Sequence, residues 1–423
     1  MRTIHRILGG LMLSSSVATQ LAAAEQPIVL NATKVYIAPD VAPLDEGSVV
    51  IRGDKILAVG TRERSTIARG ALHSECQNGI VLAGFQNSHV HFLGDGFFDA
   101  QTKSAGALSS QIESMLTRFG YTTVVDTASD LENTLTIRRR IQSGEVSGPR
   151  ILTVGSGVFP PAGLPIYIAH LPARFLESQL LPESADAARR AVLDNLGRGA
   201  DATKLFLATP QADHSVKRMP LDIARAAADA THAENKLVMV HPTNIEGIRD
   251  ALAAKADVLV HTTLGGEVPW PADVLQQLLS SKVAIAPTFK LLEYELKKEN
   301  VPEDIAVRLV AMTVDHFKPF VAGGGSVIFG TDVGYMTDYD PTEEYVLMER
   351  AGMTPRQILA SLTTEPARVW GDAARRGRVD AGMDADLVVL AADPAQDVRR
   401  FADVRCTIRG GKVIYRKRIG HEP

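Results

Sequence analysis

The sequence predicts an α/β protein: a (β/α)8 barrel joined to a small β-sandwich domain built from both chain ends. Three observations predict it. Between Ala83 and Asp332, short apolar strands alternate with helical stretches. Before Leu82 and after Ala385 the text changes to strands and turns without helices. No G-x-G-x-x-G follows a strand, so the first-turn signature of an open doubly wound sheet is missing.

The chain begins with a segment unlike the rest. Arg2 and Arg6 precede an apolar stretch from Ile7 to Leu21, and Ala22-Ala23-Ala24 fits signal-peptidase cleavage before Glu25. Residues 1–24 are therefore expected to be a signal peptide, and the protein to be exported, periplasmic or secreted. With 423 residues the chain can bury a large core. Its 45 Lys+Arg and 49 Asp+Glu leave a formal net charge of −4, which argues against a nucleic-acid partner. No membrane association is expected after cleavage. A small-molecule substrate and a homo-oligomer are.

Residues 25–82 and 376–423 are assigned to the small β-domain. Ser48–Arg52 and Ile56–Val59 flank a Gly53-Asp54 turn and form a hairpin. Ala385–Leu390, Val404–Ile408 and Val413–Tyr415 supply the C-terminal strands, with Gly410-Gly411 as a turn. Cys76 and Cys406 both fall in this domain. They are either a disulfide tying its two halves or two free buried thiols.

Residues 83–375 are assigned to the barrel. Its eight strands are Phe85–His89, Thr122–Asp126, Ile151–Gly155, Ala202–Leu207, Leu237–His241, Val258–His261, Val283–Pro287 and Val327–Asp332. Ser184 caps a helix ended by Gly197, and Pro220 and Pro271 open two more. Gly323-Gly324-Gly325 precedes a strand and terminates a helix; it is not a phosphate cradle.

Potential metal ligands fall at strand ends on this map. His89 ends the first strand and His91 follows it, so both point the same way. His241, His261 and Asp332 end strands five, six and eight, and Lys204 lies on strand four. Strand C-termini converge on one face of a barrel, and such a set suits a divalent metal, zinc first. Lys204 has two readings from spacing alone. A neutral lysine could add carbon dioxide and bridge two metals as a carbamate, or the side chain could simply point at solvent or a carboxylate.

The pattern resembles the amidohydrolase superfamily, in particular its imidazolonepropionase-related and binuclear, Xaa-Pro dipeptidase-like members. The matching text is Ala83-Gly84-Phe85-Gln86-Asn87-Ser88-His89-Val90-His91, Lys204, His241, His261 and Phe329-Gly330-Thr331-Asp332. Gly377 to Leu390 is similar to the family's re-entry into its small domain, and Thr354 to Gly371 to the helices that close the barrel. The resemblance implies two divalent metal ions, zinc foremost. His89, His91 and Asp332 would hold one, His241 and His261 the other, with carboxylated Lys204 and a hydroxide bridging them. It implies an amidase or dipeptidase, with Asp332 carrying the proton from the attacking hydroxide to the leaving nitrogen. Ala83 stands where the family commonly has proline. The loop after strand three, Val158 to Leu164, lacks the Gly-Gly-His of family dipeptidases, so the resemblance leaves the substrate open.

Other readings compete. A mononuclear deaminase uses a Glu shortly after a barrel His; Thr262-Thr263-Leu264 offers none, and Glu246 belongs to a helix start. A phosphotriesterase or lactonase could use the same binuclear site, and a non-catalytic barrel would usually have lost ligands. Finally, the strand-end loops concentrate apolar groups in a chain with only 5% aromatics. These are Phe92, Leu93, Phe97, Phe98, Phe159, Leu164, Ile166, Tyr167, Ile168, Trp270, Phe289, Tyr335 and Met336. Either they pack the loops, or they form an apolar pocket for an amide with a hydrophobic or aromatic flank, peptide or N-acyl amino acid. In the second case His170, Tyr167 and Tyr335 are the expected substrate contacts.

Overall fold

The computed structural model describes residues 26–62, 72–73, 76–263 and 269–418. The expected signal peptide lies outside the described residues, as does Leu264.

The strands Phe85–Val90, Tyr121–Asp126 and Arg150–Thr153 pair in parallel as one sheet. Ala202–Phe206, Leu237–His241, Val258–Val260, Ala284–Ala286 and Ser326–Val327 pair in parallel as a second. Hydrogen bonds run across both seams. Ser88 N donates to Phe329 O (2.7 Å) and His91 N to Val333 O (2.8 Å) at one seam. Val158 N donates to Lys204 O (2.8 Å) and Phe206 N to Val158 O (2.9 Å) at the other.

Apolar residues in these strands face two ways, with the period of two that an extended chain imposes. Val125, Met239, Val260, Ala286 and Ile328 belong to one buried cluster. Their neighbours Val124, Val240, Leu259, Ile285 and Phe329 belong to a larger one shared with the helices. Both faces are covered, which is why these strands read as continuous apolar runs. The helices start where expected: Ser184 caps Ala185–Gly197, and Pro220 and Pro271 immediately precede Leu221–Ala233 and Ala272–Ser281. The helix Glu303–Ala322 stops at Gly323, with Gly324 at φ +76°.

Among the described residues the strands of the two chain ends join into one nine-stranded sheet with two limbs. The physical reason lies in Ile28–Val35. Its first half pairs with Gly47–Arg52, and its second with Gly79–Ala83, with a register shift between Ala32 and Lys34. A bulge bends a strand and increases its twist, so one strand serves both limbs. Residues of both limbs, including Val49, Ile51, Val81, Val389 and Ile408, share a core. Cys76 and Cys406 are disulfide-bonded, joining the two chain ends.

The sheet meets the parallel strands at Gly84, where an added Cβ would come within 2.2 Å of the Thr122 hydroxyl. An ion-pair network covers the junction. Asp384 and Asp386 are buried. Arg376 reaches Asp384 at 2.9 Å, Lys55 reaches it at 2.6 Å, and Arg150 reaches Asp386 at 3.2 Å.

Candidate metal centre

His89, Lys204 and His241 lie within their strands. His91 and His261 directly follow theirs, whereas the eighth strand is only Ser326–Val327, shorter than the expected Val327–Asp332, and Asp332 lies in the segment after it. All six are buried, Lys204 completely, and all six line one cavity. Two of the turns that present them have left-handed backbone at the functional residue itself: φ is +72° at His261 and +64° at Asp332. Thr288, a β-branched residue beside His261, is at +49°. Such conformations cost about 1–3 kcal/mol each and cluster at functional sites. Gly334, at φ +98°, lets the chain after Asp332 pass the first strand; a Cβ there would sit 1.8 Å from His91 O.

The ligand-capable atoms of His89, His91 and Asp332 all lie within 4.8 Å of one another. His91 Nε2 is 3.0 Å and His89 Nε2 is 3.4 Å from Asp332 Oδ1. His261 Nε2 is 3.8 Å from Asp332 Oδ2. The His241 and His261 rings are 4.6 Å apart, as are those of His89 and His261.

Outer partners set the tautomers. His91 Nδ1 is 3.1 Å from the carbonyl of Ala128, so Nδ1 carries the proton and donates it. The Thr288 hydroxyl donates to Pro287 O (2.8 Å) and therefore accepts from His261 Nδ1 at 2.6 Å. In both rings Nε2 is then left with a bare lone pair. His91 Nε2 thus faces Asp332 Oδ1 at 3.0 Å, acceptor toward acceptor, with His89 Nε2 3.3 Å away and the Thr127 hydroxyl at 3.5 Å. Such an arrangement is repulsive unless a cation lies among the atoms. The donor set of imidazole nitrogens and a carboxylate oxygen fits a divalent ion. His89 Nδ1, Lys204 Nζ and Asp332 Oδ1 are buried without hydrogen-bond partners among the described residues.

The electrostatics agree. Burial holds His89 down at about 4 and His241 at about 3, so both rings are neutral at pH 7. Burial, then His241 and His89, push His261 well below its ordinary value. Burial lowers Lys204 to about 7, against the opposing pull of Asp332.

The cavity above these residues measures about 240 Å³. Of the apolar loop residues singled out in the sequence, Leu93, Phe159, Tyr167, Ile168 and Tyr335 line it. Phe92, Phe97, Trp270, Phe289 and Met336 instead pack into the main core. Tyr167 stacks on His241 at 6.4 Å and meets Tyr335 at 5.9 Å. His170 is exposed and is not among the cavity-lining residues, so the structure does not bring it to the site. The short helical turn Ile166–Ile168 buries Ile168 and leaves His170 outside, two residues further on. Glu246 is exposed in the first turn of Ile245–Ala253, which Asn244 caps, as its helical reading requires.

Sequence reasoning missed three contributors. Ala128 O and Thr288 orient ligand histidines, and Glu295, on the helix Phe289–Lys298, lines the cavity. Thr288 carried a faint signal, a hydroxyl residue directly after the seventh strand. A backbone carbonyl and a mid-helix glutamate carry none.

Parallel strands wrapped by helices, with a buried histidine–carboxylate cluster beyond the strand C-termini, define a TIM-barrel-like α/β protein whose cluster fits a divalent ion. Residues 80–414 match the amidohydrolase family, and the chain belongs to it. It is 23% identical over 439 residues to ochratoxinase of Aspergillus niger, covering 94% of this chain and 88% of that one. The crystal structure of A. niger ochratoxinase superposes with a TM-score of 0.76 at 19% identity, over 94% of this chain and 98% of the other. A Xaa-Pro dipeptidase crystallised with methionine in its active site gives 0.78 at 20% identity, over 93% and 100%. Molinate hydrolase gives 0.73 at 21%, over 92% and 95%.

Proposed function

We propose that this chain is a binuclear zinc hydrolase that cleaves an amide bond, in a peptide or an N-acyl amino acid, beside a hydrophobic or aromatic group. The observation that carries the proposal is the buried cluster of His89, His91 and Asp332, whose ligand-capable atoms lie within 4.8 Å of one another under an apolar cavity. His89, His91 and Asp332 would hold one ion, and His241 and His261 the second. Lys204, neutral for much of its population near pH 7, would join them as its carbamate. Two such ions supply a Lewis acid for the scissile carbonyl and a water acidified toward neutral pH.

The remaining work belongs to this chain's own residues. Asp332 uses Oδ1 toward His89 and His91 and keeps Oδ2 to accept a proton and return it to the leaving nitrogen. Thr288 and Ala128 O hold His261 and His91 in register. Tyr167, Phe159 and Phe206 exclude water and accept the apolar flank, worth about 1.5–3 kcal/mol when fully buried. The names of the relatives support amide chemistry: ochratoxinase, Xaa-Pro dipeptidase and molinate hydrolase.

The same proposal includes a closed (β/α)8 barrel over residues 83–375 and a separate β-domain from 25–82 and 376–423. The seam hydrogen bonds and the shared sheet support both. Export after loss of residues 1–24 is supported by the Cys76–Cys406 disulfide, since such bonds persist in oxidising compartments.

The test is a hydrolysis screen with zinc-loaded and chelator-treated protein, covering dipeptides, N-acyl amino acids, lactones and a chromophoric organophosphate. Metal-dependent amide cleavage, roughly tenfold or more faster with a phenylalanine flank than with glycine or aspartate, is the expected result. Turnover of lactone or organophosphate alone would overturn it.

A further inference from the structure

We propose that Glu295 is a specificity residue that selects amides carrying a protonated amine at the outer end of the cavity. The inference rests on the hydrolase reading above and narrows its substrate class.

Among the described residues two carboxylates line the cavity, Asp332 and Glu295, and no arginine does. The one lysine lining it among the described residues is Lys204, which belongs to the centre. Rings lead outward from His241 through Tyr167 (6.4 Å) to Tyr335 (5.9 Å). The Tyr335 hydroxyl donates to Glu295 Oε1 at 2.8 Å. Lys298 Nζ in turn donates to that hydroxyl at 3.0 Å. Tyr335 therefore stays a protonated donor, its ionisation disfavoured by burial and then by the charge of Glu295.

These contacts fix one oxygen of Glu295 and leave Oε2 without a partner among the described residues. Lys298 lies 3.6 Å from Oε1, but it does not line the cavity and is substantially exposed. Seen from inside, the outer end is a pre-oriented carboxylate acceptor set in aromatic walls. A substrate ammonium gains a charge-assisted hydrogen bond and an aromatic surround there. A substrate carboxylate there meets like charge, and Lys298, already paired with Tyr335 and Glu295, does not line the cavity. The position also suits the chemistry at the base. An amine close to the cations of the centre would be repelled, whereas one held by Glu295 is placed away from them. Peptides and aminoacyl amides with a free amine are thus favoured over acylated amino acids, whose charge is negative.

The test uses zinc-loaded wild-type protein and Glu295→Gln, which keeps an acceptor for Tyr335. Calorimetry with phenethylamine and with 3-phenylpropionate gives a binding ratio that needs no turnover. The amine is expected to lose roughly tenfold or more in affinity in E295Q, with the carboxylate unchanged or tighter. Tyr335→Phe, which frees Glu295 to swing, is expected to weaken amine binding less. In parallel, phenylalanine 4-nitroanilide is expected to outpace its N-acetyl derivative in the wild type, and the preference to collapse through KM in E295Q. An amine affinity unchanged in E295Q overturns the assignment. A protein that shows the binding shift but cleaves neither anilide overturns the hydrolase reading and leaves the Glu295 assignment standing.

Discussion

Asp126 and Asp332 invite comparison. Each was expected to end a strand, and each is buried. Asp126 is surrounded by hydroxyls: Ser129 donates at 2.5 Å, Thr134 at 2.9 Å and Thr153 at 2.8 Å. Asp332 has histidine nitrogens around it, and the tautomers turn the nearest lone pairs toward the carboxylate. One region satisfies its buried charge with hydroxyl donors; the other sets its carboxylate among histidine nitrogens. Burial raises the pKa of Asp126 despite its three hydroxyl donors. A buried carboxylate is a structural part when donors saturate it and a binding site when acceptors oppose it.

The largest expected effect separates the two directly. Asp332→Asn should cut amide hydrolysis by about 10²–10⁴, the range of a lost proton carrier, and lose metal as well. Lys204→Ala should lose most activity together with the second metal, with partial rescue by added short carboxylates. Full activity with two metals in K204A would break the bridging assignment. Thr288→Val removes the acceptor for His261 Nδ1 and should weaken metal affinity by roughly 10–100-fold, as losses of outer partners do. A zinc titration of the variant reads this.

Asp126→Asn should act on the other side of the comparison. It should cost about 1–3 kcal/mol of stability, from unmatched buried donors, and leave metal content alone. Loss of zinc from D126N would erase the distinction. Glu344 is an intermediate case: one oxygen accepts from Lys290 N at 2.8 Å, and the other has no partner among the described residues. Burial raises its pKa from 4.5 to about 7. The folded state therefore holds this proton more tightly than the unfolded state. The stability it contributes is full below pH 4.5 and falls as pH rises from there to about 7. The difference between wild type and Glu344→Gln in urea melts should grow across that window, by up to about 3 kcal/mol. A flat difference would place the proton elsewhere.

The contrast between the two aspartates was only half legible in the sequence. Strand-end placement singled out Asp332 because histidines end neighbouring strands, and an i, i+2 pair must share a face. The saturation of Asp126 was hidden, since Ser129, Thr134 and Thr153 come from a turn, a helix and another strand. The apolar loop residues divided for a similar reason. A loop side chain has no periodicity to say whether it faces the cavity, as Phe159 does, or the main core, as Phe92 does. The small domain's strands were legible from turns and alternation. Its joining into one sheet was not, because that depends on a register shift inside a single strand.

The most direct test of the central claim is zinc stoichiometry. Metal-free wild type, D126N, D332N and K204A would be dialysed against buffered zinc and assayed by elemental analysis. The account predicts two zinc ions per chain in wild type and D126N, and at most one in D332N and K204A. Equal retention by wild type and D332N, or no zinc in the wild type, would contradict it.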